Sequence, residues 1–215
     1  MKNLLKKELT LALHPTAPMF LVLSAMLMIP NYPYQVAFFY TGLAVFFMCL
    51  NGRENDDIGF TMLLPVAKRD IVRVRFAVVL LLQLLQITLA VPFAALRTYL
   101  IPAGNAAGLD ANIALFGCAF VLYGGFNLIF FPRYYGDVRK VGVPFLLSSI
   151  WSFVWIGIEV ACSIAVPFVR ERLDTPDPAF LPEKLLVLLI GILLYVILTE
   201  IAYKWSVSRF EKQDL

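Results

Sequence analysis

The stretch Phe76–Leu96, FAVVLLLQLLQITLAVPFAAL, carries no charged residue and is long enough to cross the hydrocarbon core of a bilayer as a helix. About 20 apolar residues cover the roughly 30 Å of hydrocarbon at ~1.5 Å per residue. Outward from it, comparable runs recur at Ala17–Ile29, Tyr34–Leu50, Ala111–Phe131, Val143–Val169 and Lys184–Tyr203. The first is short and would recruit residues from Leu11–Pro15 or Pro30–Pro33. The expected fold class is thus an all-α membrane protein with six transmembrane helices, forming a single transmembrane domain over residues 1–215. Composition agrees: 60% of the 215 residues are hydrophobic and only 15% charged, where a soluble chain has about a quarter charged. A net charge of +3 gives no ground for a nucleic-acid partner; the expected surroundings are lipid.

Orientation follows from the distribution of cations, because Lys and Arg accumulate on the cytoplasmic side. With the amino terminus inside, only Arg97, Arg170, Arg172 and Lys184 of the 18 Lys and Arg fall outside. Both termini are therefore expected on the cytoplasmic side, with a cytoplasmic tail over 204–215. A secretory signal peptide competes for the first segment, since Lys2, Lys6 and Lys7 precede an apolar run. The basic head continues through Glu8, Leu9 and Leu11, and no convincing A-x-A site follows. The segment is read as part of the mature chain.

Two segments outside the spans carry internal order. At 100° per residue, Leu5, Leu9, Ala12 and Leu13 share a stripe opposite Asn3, Lys6, Lys7 and Thr10, with Leu4 and Leu11 off it. This suits an interfacial helix over 1–14, the alternative being a frayed basic leader that only enforces topology. Between spans two and three, Asn51–Phe76 reads NGRENDDIGFTMLLPVAKRDIVRVRF. Glu54, Asp56 and Asp57 precede the apolar Ile58, Phe60, Met62, Leu63 and Leu64, which places acids in the first turn of a short helix over roughly Asp56–Leu64. Pro65 ends it, and Lys68-Arg69-Asp70 opens the next helix. The apolar side chains either lie on the bilayer or enter a groove of a partner protein.

This organisation resembles the membrane subunits of ABC-2 type exporters, above all small bacterial permeases of the phenol-soluble modulin exporter group. The sharpest part is L-P-V-x-[KR]-x-x-[IV], here Leu64 to Ile71. The resemblance implies a cytoplasmic coupling segment over 52–75 whose helix sits in a groove of a separate ABC ATPase. Carried over, the ATPase-coupling residues are Ile58, Gly59, Phe60, Met62, Leu63 and Leu64, flanked by Asp56, Asp57, Lys68 and Arg69. It further implies two copies of the ATPase, which would hold ATP and Mg, and a second permease subunit, identical or homologous. No cofactor is expected in this chain.

Polar residues within the spans are the candidates for a translocation path. Glu159 lies about 24 Å along span five from its inner edge, Gln86 about 15 Å and Arg97 about 32 Å along span three. Such placements are costly unless partnered or cavity-facing. A Glu159–Arg97 or Glu159–backbone link would fasten helices together; a cavity-facing Glu159 would attract a basic part of an exported peptide. Gln83, Gln86, Thr88 and Asn127 either line the same path or hydrogen-bond between helices. Gly117, Gly124 and Gly125 point to close helix approach, and Glu200 and Lys204 to an i,i+4 pair.

Other chemistry finds little support. Cys49, Cys118 and Cys162 are scattered, and the only histidine, His14, stands apart from them, so no metal site is expected. The chain has no G-x-x-x-x-G-K-[ST] phosphate loop and no acid–base set for intramembrane proteolysis; it is not expected to be an enzyme by itself. A substrate-binding component of an energy-coupled importer leaves Asn51–Phe76 without a purpose. A non-transporting membrane regulator or immunity protein is the remaining alternative. A largely apolar interior favours amphipathic peptides or other hydrophobic compounds as cargo, and the resemblance implies antimicrobial resistance as one context.

Overall fold

The computed structural model describes residues 2–12, 16–101 and 104–213, so His14 lies outside them. Every regular element among the described residues is helical. Helix α1 (Lys2–Lys7) runs on through a π-helical turn, Glu8–Ala12. Helix α2 (Ala17–Val22) tightens into a 3-10 stretch, Leu23–Met28. Then follow α3 (Gln35–Glu54), α4 (Asp57–Met62), α5 (Lys68–Leu100), α6 (Ile113–Tyr134), α7 (Gly142–Ala165) and α8 (Leu181–Glu211).

Five of these, α3 and α5 through α8, are long and apolar enough to cross a membrane. The first expected span is shorter than the others, an apolar helix over Ala17–Met28. Its 3-10 half rises ~2.0 Å per residue rather than ~1.5, so it extends about 21 Å in all. Its flanks nevertheless reach opposite ends of the bundle. Glu8 pairs with Arg75 near the start of α5, whereas the Asn31 side chain accepts the Ala106 amide beyond the end of α5. Along α5, Arg75 and Arg97 mark those two ends, about 33 Å apart at roughly 1.5 Å per residue.

Helix α6 is the central post, packed on α3, α7 and α8. Its glycines set how close the neighbours come. A Cβ on Gly117 would lie 2.7 Å from the Val187 carbonyl oxygen of α8, and one on Gly124 3.1 Å from the Tyr195 Cα. Gly125 accepts the indole of Trp151 from α7, and Trp151 and Trp155 donate to the carbonyls of Leu122 and Cys118. Aromatic side chains fill the space between: Phe76, Phe130, Phe131 and Tyr134 at one end, Tyr34, Phe38, Phe116 and Tyr123 at the other.

Helix α7 has its polarity inverted relative to a surface helix of a soluble protein. Ser148, Ser152, Glu159 and Ser163 are buried at helical spacing, while Leu146, Ile150, Phe153 and Ile158 are exposed. In lipid there is no gain in hiding leucine from the solvent, so small and polar side chains take the packed face. The exposed Leu186, Leu189, Leu193 and Val196 of α8 extend the same apolar exterior.

Candidate functional site

The end of the bundle near the start of α5 holds the most developed polar assembly. Asp56 adopts a left-handed backbone, φ +46°, and turns the chain into α4. The short helix then divides into two faces. Ile58 and Thr61, three residues apart and so on one side, are buried. Phe60 and Leu63, likewise three apart, are 63% and 83% exposed, and Leu64 is exposed beside them. The structure shortens the expected Asp56–Leu64 helix to Asp57–Met62, with the last two leucines in the turn before Pro65.

The buried face of α4 is held by charge. Arg75, with no exposed surface, gives Nε and Nη2 to the two Glu8 oxygens at 2.7 and 3.0 Å. Its Nη2 also meets Asp57 at 2.6 Å, and Nη1 reaches the Tyr134 hydroxyl at 3.3 Å. Lys7 closes the ring on the other Asp57 oxygen and on Thr61 Oγ1, both at 2.5 Å. Two cations therefore face two carboxylates. The planar guanidinium suits this position because its fixed fork serves two acceptors at once. The assembly joins the amino-terminal helix, α4, α5 and α6 at one point.

Sequence reasoning singled out Asp57 and the apolar residues here but missed Lys7, Glu8, Arg75 and Tyr134. The one available signal was Glu8, the only acid in an otherwise basic leader. Lys68 and Arg69, the expected flanking cations, stand at the start of α5. Lys68 donates to the Gln213 carbonyl and lies 5.8 Å over the Phe210 ring, and Arg69 meets the Tyr203 hydroxyl at 3.3 Å. Both cations thus face the carboxyl-terminal end of α8 rather than α4.

Gln83, Gln86, Asn127, Glu159 and Arg97 are buried and bonded to other parts of the chain, whereas Thr88 is exposed and donates to the Leu84 carbonyl of its own helix. Gln83 and Asn127 exchange amide hydrogen bonds at 2.8 and 3.1 Å; Asn127 also donates to Thr199, and Tyr195 to Gln83. This ties α5, α6 and α8 at mid-depth. Gln86 donates to the Ala37 carbonyl of α3, leaving its Oε1 without a partner among the described residues. The Glu159–Arg97 link is not formed. Arg97 donates to the Tyr34 hydroxyl and to the Ile101 carbonyl, while Glu159 accepts the Leu109 amide at 2.7 Å. Of the two links weighed for Glu159, the backbone one is made, because the loop after α5 folds back over α7 and offers its N–H groups.

Glu159 is one of several carboxylates gripping the entry to α6. Asp174 accepts the Asp110 amide at 2.7 Å and Asp177 the Ile113 amide at 3.1 Å. Burial pushes the Asp174 carboxyl up to about 6, against the pull of the Asp110 N–H. Lys184, fully buried, neutralises Asp177 at 2.9 Å. Among the described residues no group of His, Cys, Asp and Glu is arranged to hold a metal ion.

Comparison with known proteins adds one finding. The sequence model of a family described as ABC-2 family transporter protein matches residues 3–211. No curated protein and no solved structure matches the chain.

Proposed function

The chain belongs to the ABC-2 family of transporter proteins, and from that premise we propose that it is an exporter permease driven through α4 by a separate ATPase. As a member of this family it is a multi-pass membrane component of an ABC transporter, and the family associates with an ABC ATPase. The observation that carries the finer reading is the division of α4: a face locked by Arg75, Glu8, Asp57 and Lys7, and an opposite side where Phe60 and, in the turn just past the helix, Leu63 and Leu64 are exposed. A mechanical input needs both. The exposed aromatic and leucines, with Asp56, Gly59 and Met62 around them, seat in a groove of the ATPase; the ionic ring passes displacement to α5 and to the amino-terminal helix.

In this reading the chain crosses the membrane six times, with Ala17–Met28 as a short first crossing, and both termini are cytoplasmic. Support comes from Glu8 and Asn31 lying at opposite ends of the bundle and from the cation distribution. Two such subunits, identical or related, enclose the path, and two ATPases below hold ATP and Mg. Gln83, Gln86, Asn127, Glu159 and Arg97 fasten the packed state; parting of α5 from its neighbours turns them toward passing cargo. The cargo class is amphipathic peptides or other hydrophobic compounds, as in the phenol-soluble modulin exporter group.

Phe60→Asp tests the coupling role. The substitution lies on an exposed face, so the protein is expected to insert and purify normally while losing co-purification with its ATPase. Undiminished ATPase binding would overturn the assignment of α4.

A further inference from the structure

Beyond its coupling role, the same end of the bundle carries a groove between α5 and α8. It has a volume of about 370 Å³ and is walled by Arg69, Arg73, Phe76 and Leu80 on α5 and by Thr199 and Tyr203 on α8. Its mouth is cationic and its depth apolar. Arg69 and Arg73 stand four residues apart, on one side of the helix. Arg69 is oriented by the Tyr203 hydroxyl at 3.3 Å, and Tyr203 is itself fixed edge-on against Phe76 at 5.5 Å between centroids. Arg73 is exposed and has no hydrogen-bond or ion-pair partner among the described residues.

Two features make this pair costly in the isolated chain. Like charges at i,i+4 repel, and cations in the opening turns of a helix oppose its macrodipole, which favours anions there. Asp70 and Glu211 offset part of this at Arg69, and Glu200 in the groove wall is paired with Lys204 at 3.3 Å, which leaves Arg73 as the cation without an acidic partner among the described residues. An anion seated between Arg69 and Arg73 relieves both penalties at once. Beyond the floor of Phe76 and Leu80, the exposed Leu84 of α5 and Val196 of α8 lie one turn further along the same helix faces. A ligand that presents a phosphate at the mouth and hydrocarbon along the floor fits this gradient.

We propose that the α5–α8 groove binds an anionic phospholipid, its phosphodiester headgroup between Arg69 and Arg73 and an acyl chain along Phe76 and Leu80. The site lies at the end of the bundle that holds α4, which places it at the level of the headgroups on the ATPase side. Lipid charge would then bear on the opening turns of α5, immediately after the coupling segment.

The test uses the purified full chain in neutral detergent. Dioleoylphosphatidylglycerol, dioleoylphosphatidylcholine and inorganic phosphate are titrated separately while the thermal midpoint is followed. Phosphatidylglycerol is expected to raise the midpoint by about 2–4 °C, and the other two to leave it unchanged. Arg69→Gln with Arg73→Gln is expected to abolish the rise without lowering the starting midpoint, and Arg73→Gln alone to reduce it. Arg139→Gln, an exposed cation at the same end but off the groove, should retain the full response. A phosphatidylglycerol effect that survives the double substitution, is lost equally in Arg139→Gln, or is reproduced by inorganic phosphate would overturn the site. None of these outcomes depends on ATPase docking at Phe60, so the two assignments fail separately.

Discussion

Arg75 is a guanidinium sealed from solvent by the very carboxylates it serves. Breaking a buried ion pair from one side leaves an uncompensated charge, at a cost of about 3–5 kcal/mol, whereas removing both partners together costs far less. Glu8→Leu is therefore expected to lower stability by about 3 kcal/mol, and Glu8→Leu with Arg75→Met to regain most of it. Denaturant unfolding in detergent measures both, and equal losses in the two variants would show that Glu8 acts through packing alone. Little of this was legible in the chain. Arg75 reads as one more cation in a basic stretch, and its partner Glu8 stands far away in sequence. Glu159 was legible as a residue whose depth required a partner, with a backbone link among the options; that the partner is the Leu109 amide is something residue identity does not reveal.

Among the elements, α6 and α8 make the closest contact, and glycine rather than the amide network sets its distance. Interhelical hydrogen bonds within a membrane contribute about 0.6 kcal/mol each on average, so Gln83, Asn127 and Thr199 orient the helices more than they hold them. At Gly191 any Cβ runs into the Gly117 backbone. Gly191→Leu is expected to force α6 and α8 apart, costing about 1–3 kcal/mol or more and appearing as a lowered thermal midpoint and broadened gel-filtration profile. Ser206→Ala, on the same helix and bonded among the described residues only to the Ala202 carbonyl of its own helix, should change neither. The need for close approach could be read from Gly117, Gly124 and Gly125; which helix approaches each could not. The start of α5 at Lys68 was also readable, because Pro65 and the charged triplet punctuate it. The end of α4 was not, since Leu63 and Leu64 continue an apolar run that the helix itself does not follow.

For the whole molecule the decisive quantity is the number of crossings. If Ala17–Met28 traverses the membrane, Asn31 and Leu63 lie on opposite sides. In a background with Cys49, Cys118 and Cys162 replaced by Ala, Asn31→Cys is expected to react with a membrane-impermeant maleimide in intact cells, and Leu63→Cys only after permeabilisation. Reaction of both from one side would remove the first crossing. Two of the cations assigned to the outer side, Arg97 and Lys184, are buried and bonded within the bundle, so of those four Arg170 and Arg172 are the exposed ones. The sequence by itself determined that the chain is helical, apolar and membrane-bound, and where its one long polar interruption falls. Span length, hydropathy and cation bias are sums over contiguous residues, and they need no knowledge of neighbours. Tertiary structure alone decided which side of α4 is locked and which is offered, that Gln83 meets Asn127, and that Arg69 and Arg73 open onto a groove. Those outcomes depend on how each helix is rotated about its axis and what lies across from it, and that rotation is set by every packed neighbour together.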